Sequence, residues 1–138
     1  MRARSLSVPI AMIASAVFAV IIGFGGAARA ETQAVEITIS NFLFAPDTVT
    51  LKAGVPAVLK IRNEDPALHE FIANEFFNGM DVAVSGGGSA ERGPDGLARI
   101  LIEKNLIATV RFTPTKPGTY VFRCDLPGHG MKGEFVVQ

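Results

Sequence analysis

Outside its first thirty residues the chain holds five side chains that are imidazole or sulfur donors: His69, Met80, Cys124, His129 and Met131. Three of them fall within the eight residues Cys124-Asp125-Leu126-Pro127-Gly128-His129-Gly130-Met131. A loop with Cys at one foot, then His, then Met can wrap three side chains around one point. His69 follows the turn Asn63-Glu64-Asp65-Pro66 and stands ready to supply a fourth. Each donor taken singly has an ordinary reading: a buried small hydrophobe for Cys124, a polar turn residue for His69, a loop histidine for His129. The order and spacing of the set argue for a metal.

The donor types choose the metal. Thiolate and thioether are soft and suit Cu(I), whereas imidazole suits Cu(II). A trigonal His₂Cys set with a weak axial Met is the arrangement of electron-transfer copper sites. Such a set, intermediate between what the two oxidation states prefer and held by a stiff scaffold, changes little when an electron moves. Met131 is expected as the axial ligand, and Met80 is its rival. Zinc competes for Cys and His, but structural zinc sites rarely use a thioether. A Cys–His nucleophile pair would need an accessible thiolate and a cleft. No phosphate-binding glycine loop, Ser-His-Asp set or pair of catalytic carboxylates is legible, so no enzymatic activity is expected.

The elements that must position these donors are strands. Apolar residues recur with period two: Val35, Ile37 and Ile39; Val49 and Leu51; Leu59 and Ile61; Val110 and Phe112. Thr115-Lys116-Pro117-Gly118 is a turn. After it, Tyr120, Phe122 and Cys124 share one face, with Val121 and Arg123 on the other, and a last strand is expected over 133–137. Short strands, frequent turns and no long amphipathic helix indicate a β-sandwich or barrel. The Gly-rich stretch 73–99 breaks the pattern. It is expected as a mobile insertion with a short helical turn around Glu75–Phe77.

The first thirty residues read as an address. Arg2 and Arg4 precede an uncharged apolar run, Ile10 to Ile22, and Ala28-Arg29-Ala30 has the small-x-small form of a cleavage site. The run is short for a spanning helix. Residues 1–30 are therefore expected as a signal peptide and 31–138 as one exported domain, periplasmic or secreted, with no membrane contact once processed. That domain is mildly acidic, with ten basic against thirteen acidic residues. No basic surface for nucleic acid is expected. A lone cysteine in an oxidising compartment is prone to oxidation unless its sulfur is occupied.

The segment from Gly118 through Cys124, Pro127-Gly128-His129-Gly130-Met131 to Gly133 resembles the C-terminal copper loop of cupredoxins, the plastocyanin, azurin and amicyanin family. The upstream run from Phe44 to Gly54, followed by Leu59 to His69, is similar to the N-terminal half of that family. The resemblance implies a Greek-key β-sandwich carrying one copper ion per chain. It implies His69, Cys124 and His129 as equatorial ligands with Met131 beside them. It also implies single-electron transfer with a redox partner such as a cytochrome, docking transiently through a small apolar ring around His129. A copper- or iron-handling accessory on the same fold is the alternative. In it, Glu70, Glu75, Asp81 and Asp125 would form a metal-entry path. Glu70 and Asp125 are further expected to favour Cu(II) if their charges lie close to the ion.

Overall fold

The computed structural model describes residues 31–138. The expected signal peptide, with its cleavage site, lies outside the described residues. No helix among them is long and apolar enough to cross a membrane.

The expected alternation builds two layers. The first is a five-stranded sheet. It contains β1 (Gln33–Ser40), β2 (Leu43–Ala45), β4 (Ala57–Asn63), β6 (Ala83–Gly86) and β9 (Ile107–Phe112), in the order β2-β1-β4-β9-β6. Strands β1 and β4 run parallel, and the remaining pairs are antiparallel. The second layer joins two three-stranded sheets. One has β10 (Gly118–Cys124), β11 (Met131–Val137) and β3 (Thr48–Leu51) in the order β10-β11-β3. The other has β5 (His69–Phe71), β8 (Gly96–Ile102) and β7 (Gly88–Gly93) in the order β5-β8-β7. A single bridge closes the seam. Ile72 N–H donates to Arg123 C=O, and Arg123 N–H donates back to Ile72 C=O, both at 3.0 Å.

Between the layers the period-two residues meet. Ile37, Ile39, Leu59, Ile61 and Val110 face Phe71, Ile100, Ile102, Phe122 and Phe135, all fully buried or nearly so. Burying one such side chain contributes roughly 1.5–3 kcal/mol. The aromatic part is continuous. Phe71 stacks on Phe122 with centroids 5.0 Å apart, and Phe44 and Phe135 meet Phe122 at 5.2 and 4.9 Å. This block underlies the end of β10 that carries Cys124. The all-β sandwich expected from the sequence is the fold observed.

Residues 73–99 carry the expected short helical turn but otherwise depart from expectation. They are not a loop. They form the helical turn α1 (Asn74–Phe77), then β6, β7 and most of β8. Phe76 and Phe77 are buried core residues. The Gly-rich signals mark tight turns: Gly87 links β6 to β7, and Pro94-Asp95 closes the β7–β8 hairpin. Strand β7, Gly-Ser-Ala-Glu-Arg-Gly, lies on the outside and lacks the apolar residues that identify a strand in sequence. Strand β8 does alternate, with Leu97, Ile100 and Ile102 buried. The last strand also begins earlier than expected, at Met131 rather than residue 133.

Candidate metal centre

Three elements converge at one end of the sandwich. Strand β8 aligns β5 through the register His69↔Ile102, Glu70↔Leu101 and Phe71↔Ile100. The Ile72–Arg123 bridge then holds β5 beside β10, so the start of one strand meets the end of the other. Glu70 N–H donates to Cys124 Sγ at 3.4 Å, which directs a backbone dipole at the sulfur. After Cys124 the chain turns through Asp125–Gly130. His129 N–H donates to the Leu126 carbonyl at 3.0 Å. Gly128 and Gly130, on either side of His129, have φ of +81° and +52°, values that glycine adopts without steric cost.

The result is a triangle of donors. His69 Nδ1 and His129 Nδ1 are 3.1 Å apart. Cys124 Sγ lies 3.5 Å from the His129 nitrogen and 4.0 Å from the His69 nitrogen. An ion bonded to nitrogen at about 2.0–2.1 Å and sulfur at about 2.3 Å, in a trigonal plane, needs donors roughly 3.5–3.8 Å apart. The observed edges of 3.1, 3.5 and 4.0 Å bracket that range. His69 and Cys124 are buried, and His129 is partly exposed.

The hydrogen bonding agrees with a cation there. His69 Nε2 is 2.9 Å from Asp65 Oδ2, and both groups are buried. An ionised carboxylate only accepts, so Nε2 carries the proton and Nδ1 presents its lone pair to the triangle. Burial works against the charge on Asp65. The amide N–H groups of Phe42 and Asn41, and then His69, outweigh burial and hold its carboxyl below the usual range. Burial depresses His69, assisted by repulsion from His129 and opposed by Asp65. A neutral imidazole is the form that binds metal.

Met131 joins this cluster and Met80 does not. In the antiparallel pairing of β10 with β11, Met131 stands opposite Cys124. Directly opposed residues project from the same face. Met131 is buried there, so the register places its side chain beside the sulfur. Met80 instead lines a cavity with Glu75, Asp81, Lys116 and Tyr120. Tyr120 is four residues before Cys124 on β10, roughly 13 Å away at about 3.3 Å per residue. Four acidic residues proposed for an entry path are likewise dispersed. Glu75 and Asp81 lie in that distant cavity. Glu70 is buried and accepts from Arg99 Nη1 at 2.7 Å, and Asp125 accepts from Arg123 Nε at 2.8 Å. The carboxylates that flank His69 and Cys124 in sequence thus have cationic partners.

Sequence reasoning passed over two contributors. Asp65 was read only as part of a turn, although its spacing of four residues before His69 was visible. Phe42 has one ring edge toward His69, with centroids 5.4 Å apart, and meets His129 at 4.9 Å. It is 42% exposed, and its neighbour Leu43 is 64% exposed. No sequence signal linked a residue 27 positions earlier to His69.

Comparison with known proteins agrees with this fold. Auracyanin A, a "blue" copper protein from the green thermophilic photosynthetic bacterium Chloroflexus aurantiacus, superposes with a TM-score of 0.59. It is 20% identical, over 78% of this chain and all of that one. The reduced auracyanin of Roseiflexus castenholzii gives a TM-score of 0.58 at 22% identity, over 77% of this chain and 97% of that one. An oxidised amicyanin P94A mutant gives 0.51 at 17%, over 76% and 82%. At such identities the likeness is one of fold. No curated protein sequence matches significantly. A family described as "Cupredoxin-like domain" matches residues 11–91. That segment is more than half of the chain and contains His69, while Cys124, His129 and Met131 lie beyond it. The fold, the family match and the donor triangle are thus separate observations with one reading, and the chain belongs to the cupredoxin-like domain family.

Proposed function

We propose that the protein is a single-electron carrier with one copper ion held by His69, Cys124, His129 and Met131. The observation that carries this reading is the triangle of two imidazole nitrogens and one sulfur, closed to 3.1–4.0 Å. Copper supplies a one-electron couple between Cu(II) and Cu(I). The chain supplies rigidity and an exit. His69 and Cys124 are buried and tied to strands, so their positions need not change with oxidation state. His129 is partly exposed in a loop with Leu126, Pro127 and Gly128, a small apolar rim suited to brief docking. Phe42 and Leu43 extend that rim from the neighbouring hairpin.

Cys124 is buried, whereas a Cys–His nucleophile needs an accessible thiolate, which favours a carrier over an enzyme. The accessory role loses its acidic path, since Glu70 and Asp125 are paired with arginines and Glu75 and Asp81 lie elsewhere. The proposed setting is the periplasm or exterior, with a redox protein such as a cytochrome as partner. Visible and EPR spectroscopy of copper-loaded protein tests the proposal. An intense sulfur-to-copper band is expected, lost in Cys124→Ser. A colourless protein that binds copper without that band would refute it.

A further inference from the structure

We propose that Asp65 is a positioning residue that sets one metal ligand and its aromatic neighbour together: a single carboxylate fixes the His69 ring and clamps the turn that brings Phe42 into T-shaped contact with both imidazoles. The copper-dependent half of this inference rests on the function proposed above. The tautomer half does not.

Both oxygens of this carboxylate are engaged. Oδ1 accepts from Asn41 N–H at 2.7 Å. Oδ2 accepts from Phe42 N–H at 2.9 Å and faces His69 Nε2 at 2.9 Å. The backbone of Asp65 is itself held, its N–H donating to Asn63 Oδ1 at 3.0 Å. Asn63 Nδ2 in turn donates to the carbonyls of Ala67 at 2.8 Å and Ile102 at 2.9 Å. A rigid frame therefore aims one charge at both the ligand ring and the turn.

The turn needs such an anchor. Asn41 and Phe42 form the two-residue loop between β1 and β2, with φ of +53° and +57°. Two positive φ values define the type I′ hairpin, in which the second position favours glycine. Phenylalanine there is strained, because in the left-handed region its Cβ crowds the following carbonyl. Both turn N–H groups converge on Asp65, and the strained residue is the one whose ring meets His69 and His129. The turn is stabilised by the same group that orients the ligand. Electrostatically, a negative charge on the far side of the His69 ring makes that ligand a stronger donor and favours Cu(II) over Cu(I).

The test uses two variants and the wild type. In copper-free wild type, ¹⁵N NMR is expected to show His69 in the Nε2–H form. Asp65→Ala is expected to give a mixture of tautomers, to lower Cu(II) affinity 10–100-fold, and to remove hydrogen-exchange protection from the Asn41 and Phe42 amides. Asp65→Asn keeps the volume and removes the charge. Its Cu(II)-over-Cu(I) affinity ratio is expected to fall about tenfold, a rise in potential of about 59 mV for one electron. A wild-type His69 in the Nδ1–H form overturns the proposal. So does a blue Asp65→Asn protein with unchanged potential, or turn amides as protected in Asp65→Ala as in wild type. If the wild type itself is not blue, the copper reading fails, while the tautomer and exchange results still decide the positioning role.

Discussion

The two histidines of the triangle are held in opposite ways. His69 has no exposed surface. It begins a strand paired to β8, and its outer nitrogen is bound to Asp65. His129 sits in a Gly-flanked loop, is partly exposed, and is fixed by one backbone bond and the edge of Phe42. One ring is built into the scaffold and the other lies at its surface. The proposed carrier role would use both: a ligand that does not move, and one through which a partner makes contact. The sandwich provides the first from strands and the second from a loop.

This contrast can be broken most completely at the sulfur that both rings face. Cys124→Ser should abolish the sulfur-to-copper band while leaving the β-sheet circular dichroism in place. The contrast itself is sharpened by deleting each ring. In His129→Gly, added imidazole is expected to enter from solvent and restore much of the band. In His69→Gly it should restore little, because that site is closed. Equal rescue would mean that the two positions are equally open. The methionines come next. Met131→Leu conserves volume, so it should cost no more than about 1.5 kcal/mol of stability, yet change the visible spectrum and raise the potential. Met80→Leu should leave both unchanged. A spectral response to Met80→Leu alone would reassign the axial position.

The smallest effect is on stability against pH in copper-free protein. The folded state depresses His69 below its ordinary value of 6.5. The unfolded chain therefore binds a proton there first. The contribution of neutral His69 is fully present above about pH 6.5 and is lost as pH falls through its folded value. Asp65 is also depressed, so its contribution goes only below about pH 3.8, as pH falls through the folded value. Denaturant midpoints measured from pH 8 downward should decline in two stages. A midpoint that rises between pH 7 and pH 5 would contradict the burial of a neutral His69.

Some of this was legible in the residues themselves. Period-two alternation gave β1, β3, β4, β9 and β10, because a strand buried on one face has to alternate. Cys124, His129 and Met131 were legible because they share one short loop, and their chemistry does not depend on long-range contacts. The stretch 73–99 was not legible as strands. Its hairpin is Gly- and Ser-rich on the outside, and its pairing with β5 is an agreement between residues thirty apart. Yet this hairpin supplies β8, on which His69 is aligned.

The sequence by itself determined the donor types and their order along the chain, and with them the metal they suit, since softness and hydrogen-bonding capacity belong to the side chain. Only the tertiary structure decided which methionine stands with the sulfur, because that depends on the register Cys124↔Met131. It alone paired Glu70 with Arg99 and brought Phe42 to the histidines. Those are matters of how segments pair and pack against one another, which local pattern does not fix.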